Sequence, residues 1–74
     1  MKIIKQYNRN IYREQYLRAA ADSYREIGKI QMKPEGDYMI LTFSSDRVSP
    51  ELMAMEFDNF LIEMENSGEL NDNM

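Results

Sequence analysis

The sequence predicts a small α+β domain with the element order βαββα. Three observations carry this reading: two stretches with apolar residues at helical spacing, three short runs rich in β-branched and aromatic residues, and cap or turn signals between them. With 74 residues and 43% hydrophobic content, the chain suffices for one core. A domain of this size buries only about 60% of the surface its unfolded chain exposes. The expected domain spans residues 1–68, followed by a frayed polar tail at 69–74.

The elements follow in order. The segment KIIKQY, residues 2–7, reads as a first strand, and the NRN that follows favours a turn because Asn side chains bond the local backbone. In YREQYLRAAADSYREIG, apolar residues at Tyr16, Leu17, Ala20, Ala21, Tyr24 and Ile27 form one helical stripe. Glu14 suits the positive end of that helix, and Gly28 is the expected left-handed stop. On its solvent side, Arg18 and Asp22 are expected to attract at i,i+4 and Asp22 and Glu26 to repel.

KIQMK (29–33) and DYMILTF (37–43) read as two further strands joined by PEG, a tight hairpin with a glycine bulge. Ile30 and Met32 alternate with polar neighbours, whereas YMILTF is apolar on nearly both faces and belongs in the middle of a sheet. Ser49 then caps a second helix, with Pro50 at its first position and Glu51 in its first turn. Met53, Phe57, Phe60, Leu61 and Met64 form its inward stripe, and Gly68 is the expected stop. Placing the doubly apolar strand centrally gives a three-stranded sheet of order 2-3-1, preferred over 1-2-3. A right-handed crossover puts both helices on one face.

Leu52, Met55 and Ile62 fall outside the inward stripe. Apolar side chains left at such a margin are candidates for partner binding.

Composition narrows the function classes. The chain has no Cys and no His, so thiolate metal sites, disulfides and the commonest general base are all absent. Glu56, Asp58, Glu63 and Glu65 are expected on a solvated helix face, away from any convergent cleft that acid/base or metal chemistry needs. Ser44, Ser45 and Ser49 lack the neighbouring glycines of a phosphate loop. Five tyrosines and the N-terminal arginines suggest stacking on single strands, but Tyr16 and Tyr24 fall on the core stripe and leave too few for a platform. No catalytic residue, cofactor, metal or nucleic-acid partner is therefore expected. The N-terminal apolar run stops after Ile4, and no stretch reaches the length of a membrane span, which predicts a soluble, cytoplasmic protein with no membrane partner.

Charge is divided along the chain. Residues 1–33 carry eight bases and three acids, whereas residues 34–74 carry one base and ten acids, for an overall −4. Two halves of opposite sign that fold together offset each other's fields, and the acidic half can also steer the chain to a basic target.

The segments NIYREQYLRAAADSYREIGKIQM, YMILTF and ELMAMEFDNFLIEM together resemble the small D component of His-Xaa-Ser peptide-modification systems. The resemblance spans about residues 3–65 and rests on Tyr12, Leu17, Ala20, Ala21, Glu56, Phe57, Asn59 and Leu61. The chain departs from that pattern at Arg13 and, after Leu61, in IEMENSGEL. The resemblance implies a bacterial accessory protein acting beside radical S-adenosylmethionine enzymes that modify a ribosomally made peptide. It would be a noncatalytic module that binds the precursor peptide or a partner enzyme, with strand addition as the physical route. The alternative is a small acidic inhibitor or regulator that occludes a basic site on another macromolecule. A carboxylate-dependent enzyme is the third reading.

Overall fold

The computed structural model describes residues 1–67; the expected stop at Gly68 and the tail at 69–74 lie outside the described residues. The elements are β1 (Lys2–Asn8), α1 (Glu14–Ser23), β2 (Lys29–Glu35), β3 (Tyr38–Ser44) and α2 (Pro50–Ser67). The strands form one antiparallel sheet in the order β1-β3-β2, as expected from the apolar character of β3. Met39, Leu41 and Phe43 of β3 point into the core, while Ile40 and Thr42 on its other face remain half-buried between the flanking strands.

Both helices cover the same face of the sheet. α2 lies against β3, β1 and α1. Tyr16, Leu17 and Ala20 of α1 meet Met53, Phe57, Leu61 and Met64 of α2 in a single cluster with the inward face of β3. Phe57 stands at the centre, its ring 5.2 Å from Phe43, 5.9 Å from Tyr7 and 6.1 Å from Tyr24, in tilted and edge-to-face contacts. The start of α2 is as the sequence indicates. Ser49 Oγ accepts the backbone N–H groups of Glu51 at 3.1 Å and Leu52 at 3.3 Å, satisfying two donors that a helix start leaves free.

Three local expectations are corrected. α1 ends at Ser23, not beside Gly28; Tyr24 is its C-terminal boundary, with φ −106° and ψ 3°. Tyr24 and Ile27 still pack on the core, but from a turn closed by Ile27 N–H and Gly28 N–H on the Tyr24 carbonyl. Tyr24 is held by α2: its hydroxyl donates to the Glu56 carbonyl at 3.0 Å and its ring meets Phe60 at 5.9 Å. Gly28 has no positive φ, and its requirement is spatial. A Cβ there would stand 2.7 Å from both the Met53 side chain and the Ser44 carbonyl oxygen.

The hairpin has no bulge. β2 and β3 run to the closing pair Glu35↔Tyr38, leaving the two-residue turn Gly36–Asp37. Gly36 has φ 60° and Asp37 does not have positive φ, the pattern of a type II′ turn whose twist matches the strands. Pro34 therefore lies inside β2 and not at the turn.

On α1, Arg18 pairs with Glu14 at 2.7 Å, and Asp22 pairs with Arg25 at 3.2 Å. The expected Arg18–Asp22 attraction is replaced because Glu14, one turn earlier, already offers its carboxylate. Both pairs are exposed, and the i,i+4 pair Glu14–Arg18 within the helix contributes about 0.3–0.5 kcal/mol.

Candidate functional site

The register fixes which backbone groups face outward at each edge of the sheet. Arg9 N–H donates to the Asp37 carbonyl at 2.8 Å, continuing the β1–β3 register in which Tyr7 faces Met39 and Lys5 faces Leu41. Antiparallel pairs alternate between bonded and non-bonded. Ile3, Lys5 and Tyr7 thus direct their N–H and C=O groups to β3, and Ile4, Gln6 and Asn8 direct theirs outward. The Asn8 carbonyl confirms the alternation by accepting Ile11 N–H at 3.0 Å and Tyr12 N–H at 2.8 Å. The turn closes the edge there, and Ile4 and Gln6 form its open part.

β2 alternates in the same way. With Glu35↔Tyr38 as the bonded closing pair, Lys33 and Gln31 face β3 and Pro34, Met32 and Ile30 turn outward. Pro34 has no N–H to offer. One edge thus carries a proline at an outward position, and the other does not.

A groove of about 210 Å³ runs beside β1, floored by Lys5 and Tyr7 and walled by Tyr12, Leu61 and Ile62. Asp58 of α2 reaches into it. Its carboxylate pairs with Lys5 Nζ and accepts the Tyr7 hydroxyl at 2.6 Å. The expectation that Asp58 stands in solvent is corrected: its side chain is about one third exposed and ties α2 to β1. Tyr7 is pushed well above the ordinary tyrosine range, first by burial, then by its bond to the Asp58 carboxylate and that carboxylate's charge, and last by Tyr12. It stays a neutral donor, and no buried side-chain N or O among the described residues lacks a partner.

The sequence-predicted residues are distributed differently from these. Ile62 joins the groove wall, whereas Leu52 and Met55 lie farther back along α2. All three are exposed, at 54% for Ile62, 47% for Leu52 and 62% for Met55. Lys5, Gln6, Tyr12 and Asp58 escaped the sequence reading as a group. The available signal was Lys5 itself, a charge interrupting the inward row Ile3–Lys5–Tyr7 and so requiring a carboxylate from a covering element.

The other candidate sites do different work. Ser45 donates to the Ile27 carbonyl and accepts Arg47 N–H at 2.9 Å and Val48 N–H at 3.1 Å, so its hydroxyl closes a loop. A larger depression of about 450 Å³ nearby mixes Lys2, Arg25, Lys29 and Arg47 with Glu26 and Asp46 and has no single sign of charge. Tyr7 and Tyr16 are buried, Tyr12 and Tyr24 are half-buried, and Tyr38 is 41% exposed. Among the described residues there is no group of three or more side chains suited to a metal ion, and no helix is long and apolar enough to cross a membrane.

Comparison with protein-family models, with curated proteins and with solved structures gave no match.

Proposed function

We propose that this chain is a noncatalytic binding module that captures an extended segment of a partner polypeptide along the β1 edge. The observation that carries this reading is the asymmetry of the edges: Ile4 and Gln6 present free backbone groups beside a walled groove, whereas β2 presents Pro34. An added strand would bond to Ile4 and Gln6. Its alternate side chains would then enter the groove against Tyr12, Leu61 and Ile62, the combination by which strand addition gains affinity and selectivity. On the opposite face, Ile4, 66% exposed, would meet the intervening side chains.

The resemblance to the D component of His-Xaa-Ser systems supplies the biological setting for this reading. The captured segment would be the precursor peptide or part of a radical S-adenosylmethionine enzyme, with all chemistry performed by the enzyme. A gene for such an enzyme and one for a short precursor should adjoin this gene. Their absence would remove the setting but not the binding mode.

The binding mode is tested by selecting a random-peptide display library on the wild type and on Gln6→Pro. Proline at position 6 removes an outward N–H and leaves the ladder to β3 intact, so the fold should be retained. Wild type should enrich peptides with alternating apolar residues, and Gln6→Pro should not. Equal enrichment by both would refute strand addition at β1.

A further inference from the structure

The outer face of α2 carries a second pattern, which shares only Ile62 with the groove beside β1. Leu52, Met55, Asn59, Ile62 and Asn66 are spaced three, four, three and four residues apart, the a/d spacing of a heptad seam. At about 100° per residue they fall within roughly 80° of one another, on a stripe about 21 Å long that faces away from the core. Leu52, Met55 and Ile62 are among the most exposed large apolar side chains of the described residues. Glu56 and Glu63 line one side of the seam and Glu51 and Glu65 the other, all exposed. α2 contains no Lys or Arg, and none of these four glutamates has an ion-pair partner among the described residues.

We infer that this seam docks a basic amphipathic helix of another protein, with apolar residues against Leu52, Met55 and Ile62 and with Lys or Arg beside the flanking glutamates. Charge selects this occupant. A second copy of α2 would set glutamates against glutamates in either orientation, since e meets g in a parallel pair and like positions meet in an antiparallel one. An anionic membrane surface would be repelled by the same residues. An extended segment finds no backbone donors or acceptors on a helix face and would leave its own groups without partners there. A helix satisfies its backbone internally and brings only side chains. Asn59, at the middle of the seam, selects a polar residue opposite it and so fixes the register. This narrows the acidic-regulator reading of the charge balance to one stripe and one partner chemistry, and it does not rest on strand addition at β1.

The probe is a synthetic three-heptad peptide with Ile or Leu at its seam, one central Asn, and Lys or Arg at every flanking position. A control peptide carries the same seam with Glu at the flanks. Binding is measured by fluorescence anisotropy at low and high salt, after thermal melting has confirmed that each protein variant folds. The basic peptide should bind, more weakly at high salt, and the acidic control should not. Met55→Asp should weaken binding about tenfold or more, equivalent to about 1.4 kcal/mol. The double variant Glu56→Lys with Glu63→Lys should transfer preference to the acidic peptide. Glu26→Lys with Asp46→Lys changes net charge equally but lies off the seam, and should leave the preference in place. Gln6→Pro should bind the helix normally, which separates this inference from the strand-addition reading.

Failure of the basic peptide to bind, equal effects of the two charge-reversed doubles, or indifference to Met55→Asp would each overturn the inference. A wild-type dimer in light scattering that Met55→Asp abolishes would overturn it as well, in favour of a second copy.

Discussion

The two edges of this sheet are built from strands of equal length on the same central partner, yet they present different groups to solvent. β2 ends in Lys-Pro-Glu, with Pro34 at a position whose backbone faces outward, and its Lys29, Gln31 and Lys33 side chains line the uncovered face. Those are the means by which an edge strand resists pairing. β1 has no proline, an exposed Ile4, and a groove beside it formed with α2. It is also the better anchored edge. Lys5 and Tyr7 both bond to Asp58, whereas among the described residues no β2 side chain bonds to another element. Under the proposed reading, an edge anchored in this way and left unpaired would be preorganised for a partner, which reduces the ordering cost of binding.

The β1 edge depends most on the helix beside it. Phe57→Ala removes the ring between Tyr7 and Phe43 and should cost about 3–5 kcal/mol. Against a total of roughly 5–10 kcal/mol for a domain of this size, that approaches unfolding. Chemical denaturation should show it, and a wild-type midpoint would mean that α2 is oriented otherwise. A smaller loss is expected when the anchor alone is cut. Asp58→Ala leaves the Tyr7 hydroxyl without its acceptor and should cost about 1–3 kcal/mol, while Asp58→Asn keeps an acceptor oxygen and should cost less. If both variants melt alike, the hydroxyl is not held as described.

Alkaline pH probes the same anchor. The folded state keeps the Tyr7 proton more tightly than the unfolded chain does, so its contribution is fully present below about pH 10 and declines as pH rises beyond that. The unfolding free energy, read from chemical denaturation, should fall by up to about 1.4 kcal/mol per pH unit in that window from this one proton. Tyr7→Phe should flatten the decline, and an unchanged slope would show that other groups cause it. The smallest stability effect belongs to the blunted edge. Pro34→Ala should change stability by less than about 1 kcal/mol, chiefly through the unfolded chain. It should nonetheless restore an outward N–H to β2 and permit self-association visible by light scattering. A strictly monomeric variant with unchanged peptide selection would indicate that Pro34 is not what closes that edge.

Much of the frame was legible in the residues. The doubly apolar YMILTF placed β3 centrally, Ser49-Pro50-Glu51 marked the start of α2, and the spacing of Met53, Phe57, Leu61 and Met64 identified its buried side. All of these are local patterns. What decides the site is nonlocal. The open edge depends on bonding parity counted from the Arg9–Asp37 bond and the Gly36–Asp37 turn, and a turn placed differently at Pro34 would have hidden it. Asp58 looked like one more solvated acid because its partners lie more than fifty residues earlier, on β1. Gly28 looked like a helix stop because the apolar period continues through Tyr24 and Ile27. In the fold that period is carried by a turn, and the glycine answers to Met53 and Ser44.

The most direct measurement is amide hydrogen exchange, residue by residue by NMR, on the free protein and on its complex with a peptide selected from the display library. The Ile4 and Gln6 amides should exchange readily in the free protein and become protected in the complex, while those of Ile30 and Met32 should not change. Protection appearing at Ile30 and Met32, or at neither edge, would contradict the assignment of β1 as the binding strand.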